Sequence, residues 1–178
     1  MRIRATFTIV LFLAIWSRGT GATATEPPQA PRSEQSVLLE PLAIVVNRSN
    51  PEDNLSLVEL HKIFLGERSH WTNGRRITLV MRLPGDSERK MIVRDVCGMT
   101  EEQLKIHVLH GLFTGEILVS PKILTSPEGV RKFIFNVPGA IGYLRMSDLD
   151  ATVKVVSVEN LWPGDRDYKL RVPAQAGY

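Results

Sequence analysis

The run LAIVVN, at residues 42–47, is the feature that most constrains how this chain folds. Its first five residues are apolar and three of them are β-branched, which indicates a strand that is covered on both faces. Such strands are typical of α/β proteins, in which helices pack on both faces of a mainly parallel sheet. We therefore expect 42–47 to form a central strand of a sheet of this kind.

The rest of the chain alternates between helical and extended patterns, as βαβ units do. Three helix starts carry capping signals, in which Ser or Thr stands three residues before Glu or Gln, or directly before Pro. These signals are Ser56 with Glu59, Thr100 with Gln103, and Ser126 with Pro127. We expect helices after each signal and over 87–98, and strands over 77–83, 117–119, 140–144 and 153–156.

Apolar residues that recur on one face of each predicted element indicate the core. We expect burial of Leu60, Phe64, Ile77, Leu79, Val93, Leu109, Phe133 and Ile141, with Val80 and Met81 largely covered. Cys97 is the only cysteine, so the chain has no internal disulfide. It ends a helical apolar run and is predicted to be a small core residue.

The N-terminal residues have the composition of a secretory signal peptide. A short basic start leads into an apolar stretch over 5–16, and ATA at 22–24 matches the small-x-small pattern of a signal peptidase site. We expect 1–24 to be removed on export, because the apolar stretch is short for a membrane span. An uncleaved N-terminal anchor is the alternative; after cleavage we expect no stable membrane insertion.

Three further segments follow the predicted signal peptide. Residues 25–40 are rich in proline and polar residues and indicate a linker. Residues 41–162 have the length and patterning of one folded domain. Residues 163–178 show no clear period, and we expect this C-terminal tail to fray.

Charge gives no reason to expect a nucleic-acid partner. The chain has 22 basic and 19 acidic residues, but Arg2, Arg4 and Arg18 lie in the predicted signal peptide. The remainder has 19 residues of each sign, so the excess of positive charge belongs to the targeting segment. Nucleic-acid binding requires a basic patch on the folded domain.

The stretch RLPGDSERK, which begins at Arg82, is the strongest candidate for chemistry. A turn leads into a helix start, where unpaired backbone N–H groups and a partial positive charge can hold an oxyanion. Arg82 ends a strand, Ser87 can cap the helix and donate its hydroxyl, and Arg89 can add a charge-assisted contact. Asp86 and Glu88 oppose this role, because they place two negative charges at the same point. An ordinary capped helix start with solvated arginines stays open as an alternative.

The sequence offers no constellation for catalysis or for a metal. His107 and His110 lie three apart on one predicted helix, but a zinc site needs a third and usually a fourth ligand. Ser87 lacks the Gly-x-Ser-x-Gly turn of a nucleophile and a placed histidine base. We expect no enzymatic activity, catalytic residue, metal ligand or cofactor, and we interpret both histidines as solvated.

Motifs over 41–146 resemble those of the phosphate-binding proteins of ABC importers, and more broadly the type II periplasmic binding protein superfamily. The family shows an apolar strand ending in Asn, a helix ending in Ile-Phe-x-Gly, a Trp before a Gly turn, a strand ending in Arg, and Gly-Ala-Ile-Gly-Tyr. Here these motifs are Asn47, the helix end at 63–66, Trp71 with Gly74, Arg82, and residues 139–143. Each motif is weak alone, and their shared order makes the combination specific.

The resemblance implies an exported, non-enzymatic, periplasmic protein that binds phosphate or a related oxyanion and is linked to ABC-type transport. In the family, Ser-Gly-Thr opens the helix after the strand-end Arg. Here Ser87-Glu88-Arg89 stands there instead, so only Arg82 and Ser87 carry over. The family binds its ligand between two lobes, whereas this chain has residues for one lobe. The alternative is a ligand-free adaptor lobe that docks on an envelope sensor, transporter or outer-membrane protein, or that associates with itself.

Overall fold

The structure is a computed structural model that describes residues 38–175. The predicted signal peptide at 1–24 and residues 25–37 of the predicted linker lie outside this range and stay predictions. Leu39 and Glu40 lie in a strand, so the predicted end of the linker at residue 40 is wrong. In the part of the chain that is described, no helix is long and apolar enough to cross a membrane.

The described chain folds into strands and helices that alternate for most of its length. The strands are β1 Leu39–Val46, β2 Asn54–Leu55, β3 Thr78–Arg82, β4 Lys122–Leu124, β5 Ala140–Arg145, β6 Lys154–Val158 and β7 Arg171–Pro173. The helices are α1 Leu57–Phe64, α2 Ser87–Met91, α3 Glu101–Thr114 and α4 Pro127–Asn136. A π-helical segment, Ile92–Val96, continues α2, and a 3-10 turn covers Met146–Asp148.

The capping signals in the sequence predict three helix starts correctly. The hydroxyls of Ser56 and Thr100 each accept a hydrogen bond from a backbone N–H three residues later. Glu59 and Gln103 return the bond by accepting from the N–H of the capping residue. Ser126 caps α4 through its hydroxyl in the same way. Each cap satisfies backbone donors that a helix start otherwise leaves unpaired.

β1 is a central strand, as predicted. The strands lie in the order β2-β6-β1-β5-β3-β4, and β7 pairs with the first residues of β1. β1 is antiparallel to β5, β6 and β7, whereas β3 is parallel to β4 and β5, and β2 is parallel to β6. The α/β class is confirmed, and the sheet is mixed rather than mainly parallel. An unbroken apolar run indicates that both faces of the strand are buried, but it does not indicate the direction of the neighbouring strands.

Helices cover both faces of the sheet, as the apolar run requires. On one face Leu42, Ile44 and Val46 pack in a large cluster with α1, α3 and the π-helical continuation of α2. On the other face Ala43 and Val45 pack against α4. All five side chains are completely buried. Burial of both faces of one strand fixes a three-layer arrangement with the sheet in the middle.

Most of the predicted core residues are covered. The buried ones are Leu60, Phe64, Val80, Met81, Val93 and Ile141, and the partly buried ones are Ile77, Leu79 and Phe133. Leu109 is 54% exposed, so its prediction is wrong. It lies five residues after the buried Leu104, about 140° around the helix, so the two side chains cannot face the sheet together. Cys97 is buried as predicted, and burial raises the pKa of its thiol to about 12.

The segment after α3 differs from its prediction. Residues 117–119 do not form a strand, and β4 lies further on, at the edge of the sheet. Ile117 is buried instead, with its side chain packed directly over Gly66 and Gly111. A short apolar triplet does not distinguish a strand from a loop residue that fills the core.

The C-terminal segment up to residue 175 packs into the fold, so the prediction of a frayed tail at 163–178 is wrong over the part that the structure describes. β7 pairs antiparallel with Leu39–Pro41, so the folded unit extends past residue 162. Tyr168, Leu170 and Val172 are buried in the same cluster as β1. Their alternation with polar residues is the period of a strand, and it is the signal that the prediction missed.

Gly139 fixes where β3 and β5 begin. Its carbonyl oxygen accepts hydrogen bonds from the backbone N–H of Thr78 and from Nε1 of Trp71, each at 3.0 Å. A Cβ atom at this position would lie 2.0 Å from the carbonyl oxygen of Arg76. Only glycine therefore fits here without a shift of the backbone.

We expect Gly139→Ala to lower the free energy of unfolding by about 2–4 kcal/mol, because the added methyl group meets rigid backbone. Gly164→Ala is the matched control, since a Cβ atom there meets nothing within 4 Å. Denaturant unfolding followed by circular dichroism measures both variants. Equal stability of the two would contradict the role given to Gly139.

Candidate functional site

The candidate residues lie at the edge of the sheet where β3, β4 and β5 end. Because β3 is parallel to both neighbours, the three carboxyl ends, at Arg82, Leu124 and Arg145, meet at one edge. α2 follows β3 and α4 follows β4, so both helices begin close to this edge. Open α/β sheets bind ligands in this position, outside the carboxyl ends of the strands.

Arg82 is the candidate residue with unused hydrogen-bonding capacity. Its Nη2 lies 3.0 Å from Oδ2 of Asp86, and its side chain is 14% exposed. Its Nη1 is buried and has no hydrogen-bond partner among residues 38–175. The ion pair is poorly aligned, because Oδ2 of Asp86 has no hydrogen bond of good geometry either. A buried donor without a partner costs free energy, which a ligand oxygen would recover.

Ser87 is the first helical residue of α2 and not its cap. Asp86 occupies the capping position and makes no side-chain capping bond, so the expected capping role of Ser87 is wrong. The Ser87 hydroxyl accepts a hydrogen bond from Nη2 of Arg145 at 2.8 Å and donates to Oε2 of Glu88 at 3.3 Å. Both partners belong to the protein, so the hydroxyl is already hydrogen-bonded within the fold.

Arg89 makes the bidentate carboxylate contact that its fork geometry favours, but with the protein itself. Its Nε lies 2.8 Å from Oε1 of Glu101, and its Nη2 lies 3.0 Å from Oε2. Its Nη1 donates to the backbone carbonyl of Arg82 at 2.9 Å. Arg89 is buried, so these bonds join α2, α3 and the end of β3 rather than facing solvent.

Arg145, at the end of β5, is the residue that sequence reasoning missed. Its side chain is 2% exposed, and Nε donates to Oε1 of Glu88. Its Nη1 donates to Oε2 of Glu40 at 3.1 Å and to the carbonyl of Pro173 at 2.8 Å. Nη2 donates to Ser87. An arginine at the end of a predicted strand could have been recognised as a candidate from the sequence. Its four partners could not, because they are far apart along the chain.

These ion pairs balance the charge at the sheet edge. Burial opposes ionisation of Glu88, but hydrogen bonds from Arg145 and its own backbone outweigh this and lower the pKa of Glu88. Burial likewise disfavours the charged form of Arg145, and the hydrogen bonds to Glu88 and Glu40 outweigh it and raise the pKa of Arg145. Both side chains are therefore charged at neutral pH. An anion that approaches this edge therefore meets an arginine that is already paired with carboxylates of the protein.

The two histidines of α3 do not come together as a metal site. His107 Nε2 lies 2.9 Å from the carbonyl oxygen of Leu65, which identifies it as a donor to α1. His110 is exposed. Across residues 38–175, no three His, Cys, Asp or Glu side chains are grouped so that they could hold a metal ion.

Known proteins similar to this chain share its fold. A family model described as a PBP superfamily domain matches residues 18–172. Comparison with curated proteins found no match. A phosphate ABC transporter substrate-binding protein of Clostridium perfringens, solved with bound phosphate, superposes with a TM-score of 0.64 at 22% identity, covering 77% of this chain and 54% of that one.

Two further solved structures match in the same way. An ABC-type phosphate transport receptor from Vibrio cholerae gives a TM-score of 0.62 at 20% identity, with coverage of 77% and 55%. PstS from Borrelia burgdorferi gives 0.59 at 15% identity, with coverage of 76% and 55%. The chain thus spans about half the length of these proteins, which agrees with a single lobe, and at this identity the likeness concerns the fold.

We expect Arg145→Met to lower the free energy of unfolding by about 3–5 kcal/mol, because it leaves Glu88 buried without a counter-charge. The double variant Arg145→Met, Glu88→Gln should recover at least half of that loss, since the uncompensated charge is gone. Denaturant unfolding of the wild type, both single variants and the double variant gives the coupling. A double variant less stable than Arg145→Met would contradict a charge pair.

The lowered pKa of Glu88 also predicts a pH dependence. The unfolded chain takes up this proton near the ordinary value of 4.5, at higher pH than the folded chain does. The stabilisation is therefore fully present above that value and is lost as pH falls through the folded pKa. Unfolding free energy should decline less steeply below about pH 5 in Glu88→Gln than in the wild type. The exposed Glu102→Gln is the control for loss of one charge, and equal slopes for all three would contradict this.

Proposed function

The chain belongs to the PBP superfamily, and from this premise we propose that it is an exported, non-enzymatic solute-binding lobe for phosphate or a similar oxyanion. It works in the periplasm in support of ABC-type transport. Family membership supports a binding role, and the relatives from Clostridium perfringens and Vibrio cholerae are described as phosphate proteins of ABC transport. The signal-peptide pattern at 1–24 supports export.

The observation that carries the proposal is the unpaired Nη1 of Arg82 at the carboxyl end of β3. A guanidinium held there faces the edge at which open α/β sheets bind ligands. Among residues 38–175 it forms a salt bridge with Asp86, in an ion pair of poor alignment. An oxyanion that replaces the Asp86 carboxylate would gain charge-assisted hydrogen bonds from both nitrogens of the fork.

Ser87 and Arg89 complete the proposed site as supporting residues. Ser87 directly follows Asp86, and its hydroxyl can turn to the ligand if it gives up its weaker bond to Glu88, at 3.3 Å. Arg89 holds the backbone carbonyl of Arg82 and so positions that residue. It makes no direct bond to the ligand in this proposal, because Glu101 holds its remaining donors.

The surroundings of Ser87 also support a non-enzymatic role. Its partners are the guanidinium of Arg145 and the carboxylate of Glu88. The lowered pKa of Glu88 makes that carboxylate a poor proton acceptor. A hydroxyl needs an adjacent base to act as a nucleophile, and this arrangement supplies none.

Isothermal titration of the purified chain with inorganic phosphate and with sulfate tests the proposal. We expect a weak dissociation constant, on the order of millimolar, because one lobe offers only a few donors. Arg82→Ala should weaken binding about tenfold or more, since it removes charge-assisted bonds. Asp86→Asn should strengthen it about two- to fivefold, because the competing ion pair is lost.

Arg94→Ala is the matched control, because Arg94 is 75% exposed and pairs with its neighbour Asp95 outside the site. It should leave binding unchanged. A correctly folded protein that gives no heat with several millimolar phosphate would refute the proposal. So would binding that Arg82→Ala leaves intact.

A second candidate is a ligand-free adaptor lobe that docks on an envelope protein. The observation that favours it is that Ser87 and Arg89 already form hydrogen bonds within the protein. Ser87 is bonded to Arg145 and Glu88, and Arg89 is bonded to Glu101. Co-purification of the wild type and Arg82→Ala from the envelope fraction separates the two functions. A defined partner that both proteins retain, together with a silent phosphate titration, would favour docking.

A further inference from the structure

Exposed apolar side chains are concentrated in one short part of the chain. Seven of the fourteen large apolar side chains that are exposed in the described chain fall within residues 106–123. They are Ile106, Leu109, Leu112, Phe113, Leu118, Val119 and Ile123. Scattered apolar residues on a surface need no explanation, but a concentration of this kind marks an interaction site.

Three of these residues give α3 a second apolar face. Leu104 and Gly111 point to the core and are buried. Ile106, Leu109 and Phe113 follow at the spacing i, i+3 and i+7, which forms a stripe on the far side of the helix. Phe113 is 85% exposed. A helix that is apolar on opposite faces is expected to bury both faces against other parts of a protein.

The strand beside α3 is an open edge. β4 is the last strand of the sheet, and its outer side has no neighbouring strand in residues 38–175. A groove of about 270 Å³ runs between α3 and β4, with Leu109, Leu112 and Ile123 among its lining residues. The groove therefore lies beside the strand to which a further strand could pair.

We propose that a second copy of this chain covers this surface, with β4 paired antiparallel to β4 of the copy. A two-fold axis through Ile123 sets each Ile123 opposite its counterpart and each Lys122 opposite Leu124. The lysines of the two copies then do not face each other. Antiparallel pairing of one strand with itself is an isologous contact, so it closes as a dimer and does not propagate.

The size of the apolar surface agrees with such a dimer. The exposed fractions of the seven side chains add up to about four fully exposed side chains, which is on the order of 400 Å² of apolar surface per copy. Specific interfaces bury about 800 Å² per partner, including a polar rim. Pairing of the strands also satisfies the backbone groups that an edge strand leaves open. The inference is independent of oxyanion binding, because the stripe on α3 and the strand β4 carry it.

Analytical ultracentrifugation of the purified chain at about 1–100 μM tests the association. We expect a dimer in the wild type. Leu109→Glu should weaken the dimer about 100-fold, because each interface would bury two unpaired carboxylates. Phe135→Glu is the matched control, since Phe135 is 54% exposed on α4, which packs on the opposite face of the sheet. It should leave the dimer intact.

A cross-link locates the contact. Cys97 is buried, so a cysteine introduced at Ile123→Cys is the reactive thiol. Residues opposite each other in an antiparallel pair lie about 4.5–5.5 Å apart between Cα atoms, which suits a disulfide. Mild oxidation should therefore join Ile123→Cys into covalent dimers and leave Phe135→Cys without a cross-link, although both variants associate. A wild type that is monomeric at 100 μM would overturn the proposal, and so would a dimer that resists Leu109→Glu and fails to cross-link at position 123.

Discussion

The guanidinium of Arg145 is almost completely removed from water, and several elements depend on its neutralisation. A buried charge of this kind is tolerated only when opposite charges and hydrogen bonds surround it. Glu88 on α2 and Glu40 on β1 supply the charge, and Ser87 and the carbonyl of Pro173 supply further contacts. One side chain at the end of β5 thereby ties together α2, the first residues of β1 and the C-terminal strand. The hydrogen bonds of Arg145 hold Ser87, at the start of α2, and Pro173, on β7, against the end of β5.

The same clamp determines which groups remain for a ligand. Ser87 and Glu88 are drawn toward Arg145, and Arg89 is drawn toward Glu101. Arg82 is left with an unpaired nitrogen and a poorly aligned carboxylate beside it. In the proposed site, an oxyanion would thus replace the Asp86 carboxylate as the counter-charge of Arg82 rather than fill an empty positive site. This limits the affinity of a lone lobe, since the anion gains only the difference between two ion pairs.

The proposed dimer surface adjoins the candidate site and shares Arg89 with it. Met81 and Arg89 line the groove beside β4. Met81 directly precedes Arg82 on β3, and Arg89 donates a hydrogen bond to the backbone carbonyl of Arg82. α3 links the two regions, because Glu101 at its start holds Arg89 while its far face carries the apolar stripe. A copy seated on β4 would therefore bring two sheet edges, each with its own Arg82, into one assembly.

The sequence by itself determined the layered α/β fold, the central strand, the capped helix starts and the position of Arg82 at a strand end. These features rest on local patterns, in which the period of apolar residues and the capping chemistry act over a few neighbours. The packing of 168–173 and the exposure of Leu109 follow from local periods that the prediction missed. Only the tertiary structure decided the direction of the strands and the internal pairing of Ser87 and Arg89. Each of these depends on contacts between residues far apart in the chain, such as Arg145 with Glu40 and Glu88, and no local pattern encodes them.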